Sequence, residues 1–304
     1  MTTVSEAVGV AAFAPVERAC RYAGDQVINA MSVDVEDYFQ VQAFADTVDR
    51  DRWESFESRV ERNTDRVLRI FDDRGVSATF FCLGWIAERH PALIRRIAAA
   101  GHEVASHGWA HHLITSLTPE AFREDIRRTR RLLEDLSGNP VTGFRAPTFS
   151  IGRTNLWAFD ILGEEGYRYS SSVFPVHHDL YGMPEAPHRP FRPNRDDRLV
   201  EFPMSTVQFL GRTVPCSGGG YFRLMPYLMF RQAVRRLNTQ HQPCIFYFHP
   251  WEIDPGQPRM PDLSAKARFR HYLNLNRMEA RLDRLLQDFR WDRMDRVFDS
   301  FLAD

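Results

Sequence analysis

The sequence contains a single lysine and no long apolar segment, and both absences narrow the classes of protein that it can encode. Of its 39 basic residues only Lys266 is not arginine, and 40 acidic residues balance them to a formal net charge of −1. A chain with so little excess charge lacks the basic footprint of a nucleic-acid-binding protein. No uninterrupted apolar run reaches the roughly 18 residues of a membrane-spanning helix. Neither a nucleic-acid partner nor a transmembrane segment is therefore expected.

Cysteine is also scarce. The four cysteines are Cys20, Cys82, Cys216 and Cys244, and no two of them form a CxxC motif. In a chain of 304 residues this spacing argues against a disulfide framework and against a structural zinc site. The N-terminal stretch has a short apolar segment with no basic region before it, unlike a secretory signal peptide. We therefore expect residues 1–28 to form a loose N-terminal arm of a cytoplasmic protein.

Short apolar strands alternate with helices along the rest of the chain. The predicted strands are residues 27–35, 76–83, 102–105, 141–145, 167–170, 199–202, 213–215 and 244–248. The predicted helices are residues 63–73, 91–100, 119–136, 155–163, 225–237 and 276–289. Asn63 and Thr118 are candidate N-caps of the first and third, and Gly138 lies just past the end of the third. The last carries an apolar stripe of Met278, Leu282, Leu285, Leu286 and Phe289. The alternation of strands and helices indicates an α/β fold of parallel βα units, with too few regular units for an eightfold barrel.

Three acidic residues end the first predicted strand, at Asp34, Glu36 and Asp37. Strand alternation places Asp34 and Glu36 on the same face. Carboxylates that close together need a cation or a proton between them. The simpler interpretation, a solvated acidic turn, is equally compatible with the acidic cluster alone.

Histidine and arginine follow three other predicted strands. The four-residue spacing of His107 and His111 can bring two imidazoles to one metal ion if the turn between them is helical, and His112 replaces His111 in another register. Arg145 can lower the pKa of a nearby carboxyl group and orient it, although a lone arginine in a loop is usually a surface residue. His249 follows the apolar strand at residues 244–248, where a solvated histidine is less expected.

In parallel α/β folds the carboxyl ends of the strands converge on the active site. One carboxylate and two imidazoles would leave an open position on Zn²⁺ or a similar divalent metal, which activates water or polarises a carbonyl group. A second carboxylate can then act as the base and a separate histidine as the acid. The residues themselves therefore predict metal-assisted hydrolysis of an ester or an amide.

The order of these motifs resembles that of the polysaccharide deacetylases of the NodB-homology type, carbohydrate esterase family 4. The stretch ATFFCLGWIAERHPALIRRIAAAGHEVASHGWAHH is similar to that family from its second strand to its histidine motif, and SVDVEDYF, GFRAPTFSIG, YRYSSSVFP, GGGYFR and FYFHPWEID are similar to deacetylases associated with exosortase-A systems. The resemblance implies a distorted, incomplete (β/α) barrel with a helical C-terminal extension. The deacetylase domain would span residues 29–258, and the extension, residues 259–304, would pack on the barrel.

The resemblance also implies a role for each motif. Asp34 would be the catalytic base, Arg145 the residue that orients it, and His249 the acid that protonates the leaving amine. His107 and His111 would bind a divalent metal, with Zn²⁺ expected. The reaction would remove N-acetyl groups from a polysaccharide, an oligosaccharide or a lipid-linked precursor in exopolysaccharide biosynthesis.

Two departures from the family pattern leave assignments open. The metal carboxylate is Glu36 if strand alternation continues, and Asp37 if a turn begins at Glu36. The segment that usually supplies an aspartate to tune the acid histidine has only serines after Tyr169. The pKa of His249 would then be set by another acid, such as Glu252 or Asp254, or be left untuned.

Two other functions are compatible with the same motifs. A relative of the same superfamily could hydrolyse a small amide or a cyclic imide. A catalytically silent relative could bind glycans without hydrolysing them. The glycine-rich segment at residues 218–223 could contact the face of a sugar or form a flexible turn.

Overall fold

The chain folds around a mainly parallel β-sheet in the computed structural model, which describes residues 13–19, 21–45, 47–193 and 198–303. The strands are β1 (Ala14–Pro15), β2 (Tyr22–Ala23), β3 (Gln26–Val35), β4 (Thr79–Cys82), β5 (Glu103–Ser106), β6 (Gly143–Phe144), β7 (Tyr169–Ser170), β8 (Phe191–Arg192), β9 (Val200–Glu201), β10 (Thr206–Phe209), β11 (Arg212–Pro215), β12 (Ile245–Phe248) and β13 (Arg290–Asp292).

Helices connect and cover these strands. They are α1 (Val60–Arg74), α2 (Gly84–Arg89), α3 (Pro91–Ala99), α4 (Pro119–Ser137), α5 (Trp157–Glu164), α6 (Gly219–Leu224), α7 (Tyr227–Thr239), α8 (Ala265–Tyr272), α9 (Leu275–Asp288), α10 (Met294–Val297) and α11 (Asp299–Leu302). Short 3₁₀ turns occur at Gln42–Phe44, Arg50–Ser55, Ile114–Ser116, Pro147–Phe149 and Pro250–Ile253. Within the described ranges, no helix combines the length and the apolar character needed to cross a membrane.

Parallel pairing runs without interruption through most of the sheet. The strands β12, β3, β4, β5, β6, β7 and β9 lie side by side in that order, each parallel to the next. Beyond β9 the sheet continues through β8 and then β1 in antiparallel orientation. The path of paired strands has two ends and is therefore open. This α/β architecture is the predicted class, and its open path is compatible with a distorted, incomplete (β/α) barrel.

The longest helix has the ends that the sequence predicts. Thr118 precedes Pro119, and its Oγ1 accepts a hydrogen bond from the Ala121 N–H at 3.2 Å. At the other end Gly138 takes φ +69°, a left-handed conformation that costs glycine little. Local sequence alone therefore fixes both ends of α4.

Helix α1 begins earlier than predicted, at Val60 rather than at residue 63. Its first turn is capped from a distance, because Asp37 Oδ2 accepts hydrogen bonds from the backbone N–H groups of Arg59 and Val60 at 2.7 and 3.1 Å. Asn63 lies inside the helix, where its side chain donates to Asp254. The prediction of an Asn63 N-cap was wrong because the capping group comes from another segment of the chain.

The N-terminal arm is partly incorporated in the sheet. Residues 1–12 and Cys20 lie outside the described residues. Strand β1 pairs with β8, and β2 forms an antiparallel hairpin with the start of β3. For its described part, the expectation of a loose arm was therefore wrong. The remaining cysteines, Cys82, Cys216 and Cys244, are buried free thiols.

The C-terminal part of the chain, residues 259–304, is predicted to be a helical extension, but it also contributes a strand. Strand β13 pairs in parallel with the first half of β3 at Ile28, Asn29 and Ala30. The buried Asn29 side chain ties this region together, since its Nδ2 donates to the Arg290 carbonyl at 3.2 Å and its Oδ1 accepts from the Cys244 N–H at 2.8 Å. The end of the chain is thus built into the sheet as well as packed against it.

Helix α9 buries an apolar stripe in the main core. The stripe comprises residues of the predicted pattern, namely Met278, Leu282, Leu285 and Leu286, and it joins the same apolar cluster as the strands β3, β4 and β12. Because this cluster is continuous, we expect the C-terminal part and the sheet to unfold together.

Substitution Leu282→Ala should lower the free energy of unfolding by about 2–5 kcal/mol, because it leaves a cavity in this core. Chemical denaturation should show one cooperative transition for both the variant and the wild-type protein. Asn276→Ala, at an exposed position of the same helix, is the matched control and should change stability by less than about 0.5 kcal/mol. A separate transition for the C-terminal part, or equal effects of the two substitutions, would contradict a shared core.

Candidate active site

The carboxyl ends of four parallel strands bring the predicted site residues together. Asp34 lies near the end of β3, His107 follows β5, Arg145 follows β6 and His249 follows β12. These strands lie within one stretch of the sheet, in the order β12, β3, β4, β5 and β6. Asp34, Glu36, His107 and His249 line a common cavity of about 360 Å³. The convergence expected from the sequence is therefore present in the structure.

Glu36 and two histidines form a compact buried cluster. Glu36 Oε1 lies 3.0 Å from Nε2 of His107 and 3.0 Å from Nε2 of His111. One ligand atom from each residue lies within 4.8 Å of the others, so the three could hold a single metal ion. Burial by itself would raise the pKa of Glu36, but His111, His249 and His107 hold it well below its ordinary value.

The protonation of His107 argues that a cation belongs in this cluster. Its Nδ1 lies 2.8 Å from the backbone carbonyl oxygen of Arg145, which can only accept a hydrogen bond. Nδ1 therefore carries a proton, and in the neutral ring Nε2 is left with a lone pair directed at Glu36. Two lone pairs facing each other at 3.0 Å require either an imidazolium proton or a metal ion between them. A hydrogen bond from the second nitrogen to a carbonyl is also the usual support of a metal-binding histidine.

The turn that joins the two histidines is irregular, so the helical turn considered from their spacing was wrong. Gly108 and His111 both have positive φ values, +72° and +53°. Arg50 holds this conformation by donating to the backbone carbonyls of Ala110 at 2.7 Å and His111 at 2.9 Å. His112 lies outside the metal-competent cluster, with its Nδ1 3.9 Å from Asp125.

Asp37 is directed away from the cluster, towards the start of α1. Its Oδ2 accepts hydrogen bonds from Ser58 Oγ as well as from the two backbone N–H groups that begin the helix, and its Oδ1 accepts from the Tyr38 N–H. Burial raises the pKa of Asp37 despite these four donors. Of the two candidates for a metal carboxylate, the structure places Glu36 with the histidines and uses Asp37 as a helix cap.

Asp34 is held by a buried arginine. Arg145 Nη1 lies 2.7 Å from Asp34 Oδ1, and its guanidinium group is completely buried. The same group donates to Ser32 Oγ, to Ser171 Oγ and to the Ser171 carbonyl, which fixes its plane. The serine segment that replaces the expected aspartate therefore supports Arg145.

His249 is paired with a carboxylate on the following turn. Its Nδ1 lies 2.9 Å from Glu252 Oε1, and its Nε2 faces the cavity at 3.9 Å from Glu36 Oε1. Burial would lower the pKa of His249, but the charges of Glu36 and Glu252 outweigh it and raise this pKa to about 9. Asp254 is engaged with Arg59 and Arg62 instead. Between the two acids left open by the sequence, Glu252 is the partner of His249.

The glycine-rich segment begins helix α6, although the sequence suggested a sugar contact or a flexible turn. A Cβ atom on Gly219 would lie 2.2 Å from both carboxylate oxygens of Glu252. On Gly218, whose φ is +87°, it would lie 2.7 Å from the Tyr247 ring. These glycines let α6 approach Glu252 closely, which sequence reasoning did not find because the two segments are distant in the chain.

Two family models match the chain. Residues 46–169, which contain His107, His111 and Arg145, match the polysaccharide deacetylase model. Residues 171–299, which contain His249 and Glu252, match a domain of unknown function, DUF3473.

Curated relatives align with part of the chain. A chitooligosaccharide deacetylase of Rhizobium leguminosarum bv. trifolii is 32% identical over 38% of this chain and 49% of its own length. A peptidoglycan-N-acetylglucosamine deacetylase of Bacillus cereus is 29% identical over 45% of this chain and 58% of its own length. A peptidoglycan deacetylase of Helicobacter pylori is 30% identical over 38% of both chains. The alignments thus span less than two thirds of each relative.

A crystal structure from Mycobacterium smegmatis, designated a polysaccharide deacetylase, shares the fold over most of both chains. Its TM-score is 0.61 at 20% identity, and the superposition covers 95% of this chain and 93% of that one. At this identity the similarity concerns the fold alone. The family-model match and the curated relatives support a polysaccharide deacetylase domain that includes residues 46–169.

Proposed function

We propose that this protein is a divalent-metal-dependent deacetylase that removes N-acetyl groups from a glycan during exopolysaccharide biosynthesis. The observation that carries the proposal is the metal-competent cluster of Glu36, His107 and His111, which opens into the same cavity as Asp34 and His249. The relatives that act on chitooligosaccharides and peptidoglycan support an N-acetylated sugar as the substrate. The motif resemblance to exosortase-A-associated deacetylases supports the biosynthetic role.

The proposed metal ligands are Glu36, His107 and His111, and they fit Zn²⁺. Two imidazoles and one carboxylate are a donor set found in catalytic zinc sites, where a further position stays open. Bound there, such a metal supplies a Lewis acid that polarises a carbonyl group and acidifies water. The carbonyl of Arg145 keeps the His107 ring in the orientation that this set requires.

Asp34 is the proposed base. Its Oδ1 is paired with Arg145, and the carboxylate lines the cavity, where it can take a proton from a water molecule. Because Arg145 is completely buried and bonded to Ser32 and Ser171, the carboxylate has little freedom to rotate. The pair therefore positions the proton acceptor beside the proposed metal ligands.

His249 is the proposed acid. Glu252 engages Nδ1, so Nε2 is the nitrogen that faces the cavity and can deliver a proton to the departing amine. Aromatic side chains of the cavity wall, including Phe149, Tyr181 and Tyr221, can pack on the apolar face of a sugar ring.

Purified protein should release acetate from an N-acetylglucosamine oligomer, and chelation of the metal should abolish the release. Hydrolysis confined to small amides or cyclic imides would contradict a glycan substrate. Glycan binding without metal or hydrolysis would contradict the proposal that the protein is an enzyme.

The substitution Asp34→Asn should lower kcat by about 10²–10⁴-fold, because the proton acceptor is lost. Asp73→Asn removes an exposed carboxylate of α1 and is the control that should retain activity. Full activity of Asp34→Asn would refute the role of Asp34.

The matched substitutions Glu36→Gln and Asp37→Asn should differ in their effects on metal content and on stability. Glu36→Gln should reduce the metal content of the purified protein, measured by elemental analysis, because it removes the charged ligand. Asp37→Asn should retain the metal and lower the free energy of unfolding by about 1–3 kcal/mol, since an amide nitrogen cannot accept the hydrogen bonds of the α1 cap. Loss of metal from Asp37→Asn but not from Glu36→Gln would reverse the assignment.

The histidine pair provides a further test by the same elemental analysis. His107→Ala and His111→Ala should each lower the metal content, because each removes one proposed ligand. His112→Ala, which changes the neighbouring histidine outside the cluster, should leave the metal content unchanged. Unchanged loading in both His107→Ala and His111→Ala would contradict the site.

A further inference from the structure

Arg223 is a buried arginine that joins the proposed acid site to the C-terminal part of the chain. It lies in α6 with 2% of its surface exposed. Its Nε donates to Glu252 Oε2 at 2.7 Å. Its remaining donors bind three backbone carbonyls around the end of α8, those of Arg270 at 3.2 Å, His271 at 3.0 Å and Leu273 at 2.5 Å. One guanidinium group therefore bridges Glu252 and the C-terminal end of α8.

Glu252 transmits this arrangement to His249. One carboxylate oxygen accepts from Arg223, and the other contacts both the backbone N–H and Nδ1 of His249, at 3.1 and 2.9 Å. Burial alone would raise the pKa of Glu252, but the charges of Arg223 and His249 lower it to about 2. An ionised carboxylate only accepts hydrogen bonds, so the nitrogen facing it carries the proton. The Nε2 atom is thereby the one left for the cavity.

A stack of rings connects the same two segments independently. The Trp251 ring lies between His249, with centroids 5.2 Å apart, and His271, with centroids 4.2 Å apart, and both pairs are nearly parallel. His271 is itself fixed by Gln257, whose Oε1 lies 2.6 Å from its Nε2. The His249 ring is therefore held through Glu252 and also through Trp251.

We propose that Arg223 is a positioning residue for His249, acting through Glu252 and anchored by the backbone carbonyls of residues 270–273. This inference rests on the proposed function, in which His249 is the proton donor. It gives the region matched by DUF3473 a specific part in the reaction, which is to keep Nδ1 of His249 engaged and Nε2 directed at the leaving group.

The close approach of α6 supports this assignment. Gly219 leaves no room for a side chain beside Glu252, since an added Cβ would lie 2.2 Å from the carboxylate oxygens. The Arg223 carbonyl in turn accepts a hydrogen bond from Asn274 Nδ2 at 2.9 Å. The backbone of α6 is thus held at both its start and its end, and Arg223 reaches Glu252 from a fixed position.

Arg223→Met should lower kcat for acetate release by about 10–100-fold and change KM by less than about twofold, because positioning of the acid affects the chemical step more than substrate binding. Arg223→Lys, which restores a cation beside Glu252, should recover part of this loss. Arg281→Met is the matched control, since Arg281 also bonds backbone carbonyls of α6 but does not contact Glu252. It should keep kcat within about twofold of the wild-type value.

A double substitution separates positioning from general structural support. If Arg223 acts through Glu252, the variant Arg223→Met/Glu252→Gln should be no slower than the slower of its two single variants. Multiplication of the two single effects, equal losses in Arg223→Met and Arg281→Met, or no loss in Arg223→Met would each overturn the proposal.

Nitrogen-15 NMR of the histidine rings in the metal-loaded protein provides a readout that does not require activity. The proton on Nδ1 of His249, assigned with a His249→Gln variant, should give a low-field signal in the wild-type protein and in Arg281→Met, and lose it in Arg223→Met. Persistence of the signal in Arg223→Met would overturn the proposal even if no substrate is hydrolysed. Absence of acetate release with the expected NMR result would contradict the proposed function alone.

Discussion

Two carboxylates buried at the end of β3 determine the rest of the site. Asp34 and Glu36 are each 2% exposed, and a charged carboxylate in such a position is costly unless a cation accompanies it. Arg145 accompanies Asp34, and the imidazoles of His107 and His111 face Glu36. These partners follow β5 and β6, so the parallel order of the sheet is what brings them within reach. We assign Asp34 as the base and Glu36 as a metal ligand because the first is paired with Arg145 and the second faces two imidazoles.

The proposed proton-donor side of the site depends on a different part of the chain. His249, Glu252 and Arg223 all lie within residues 171–299, beyond the match to the polysaccharide deacetylase family model. The same part adds β13 to the sheet and the stripe of α9 to the main core. It is therefore integral to the fold, and the contacts around Arg223 connect its last segments to the proposed chemistry.

Features that depend on neighbouring residues could be predicted from the sequence, and those that depend on distant ones could not. Apolar runs located most strands, and Thr118 and Gly138 located the ends of α4. Strand ends predicted which motifs would meet. The choice of Glu36 over Asp37 depends on hydrogen-bond donors about twenty residues further along the chain, which only the fold brings near. For the same reason no sequence pattern indicates that Arg223 contacts Glu252, 29 residues away.

In the proposed site, Glu36 and two histidines hold a metal ion beside the Asp34 carboxylate. Anomalous diffraction at the zinc absorption edge, from crystals of the protein loaded with Zn²⁺, would locate that ion. We expect one strong peak at about 2.0–2.2 Å from Glu36 and from Nε2 of both His107 and His111. Absence of a peak at this position, or a peak bound by Asp37 in place of Glu36, would contradict the proposed site.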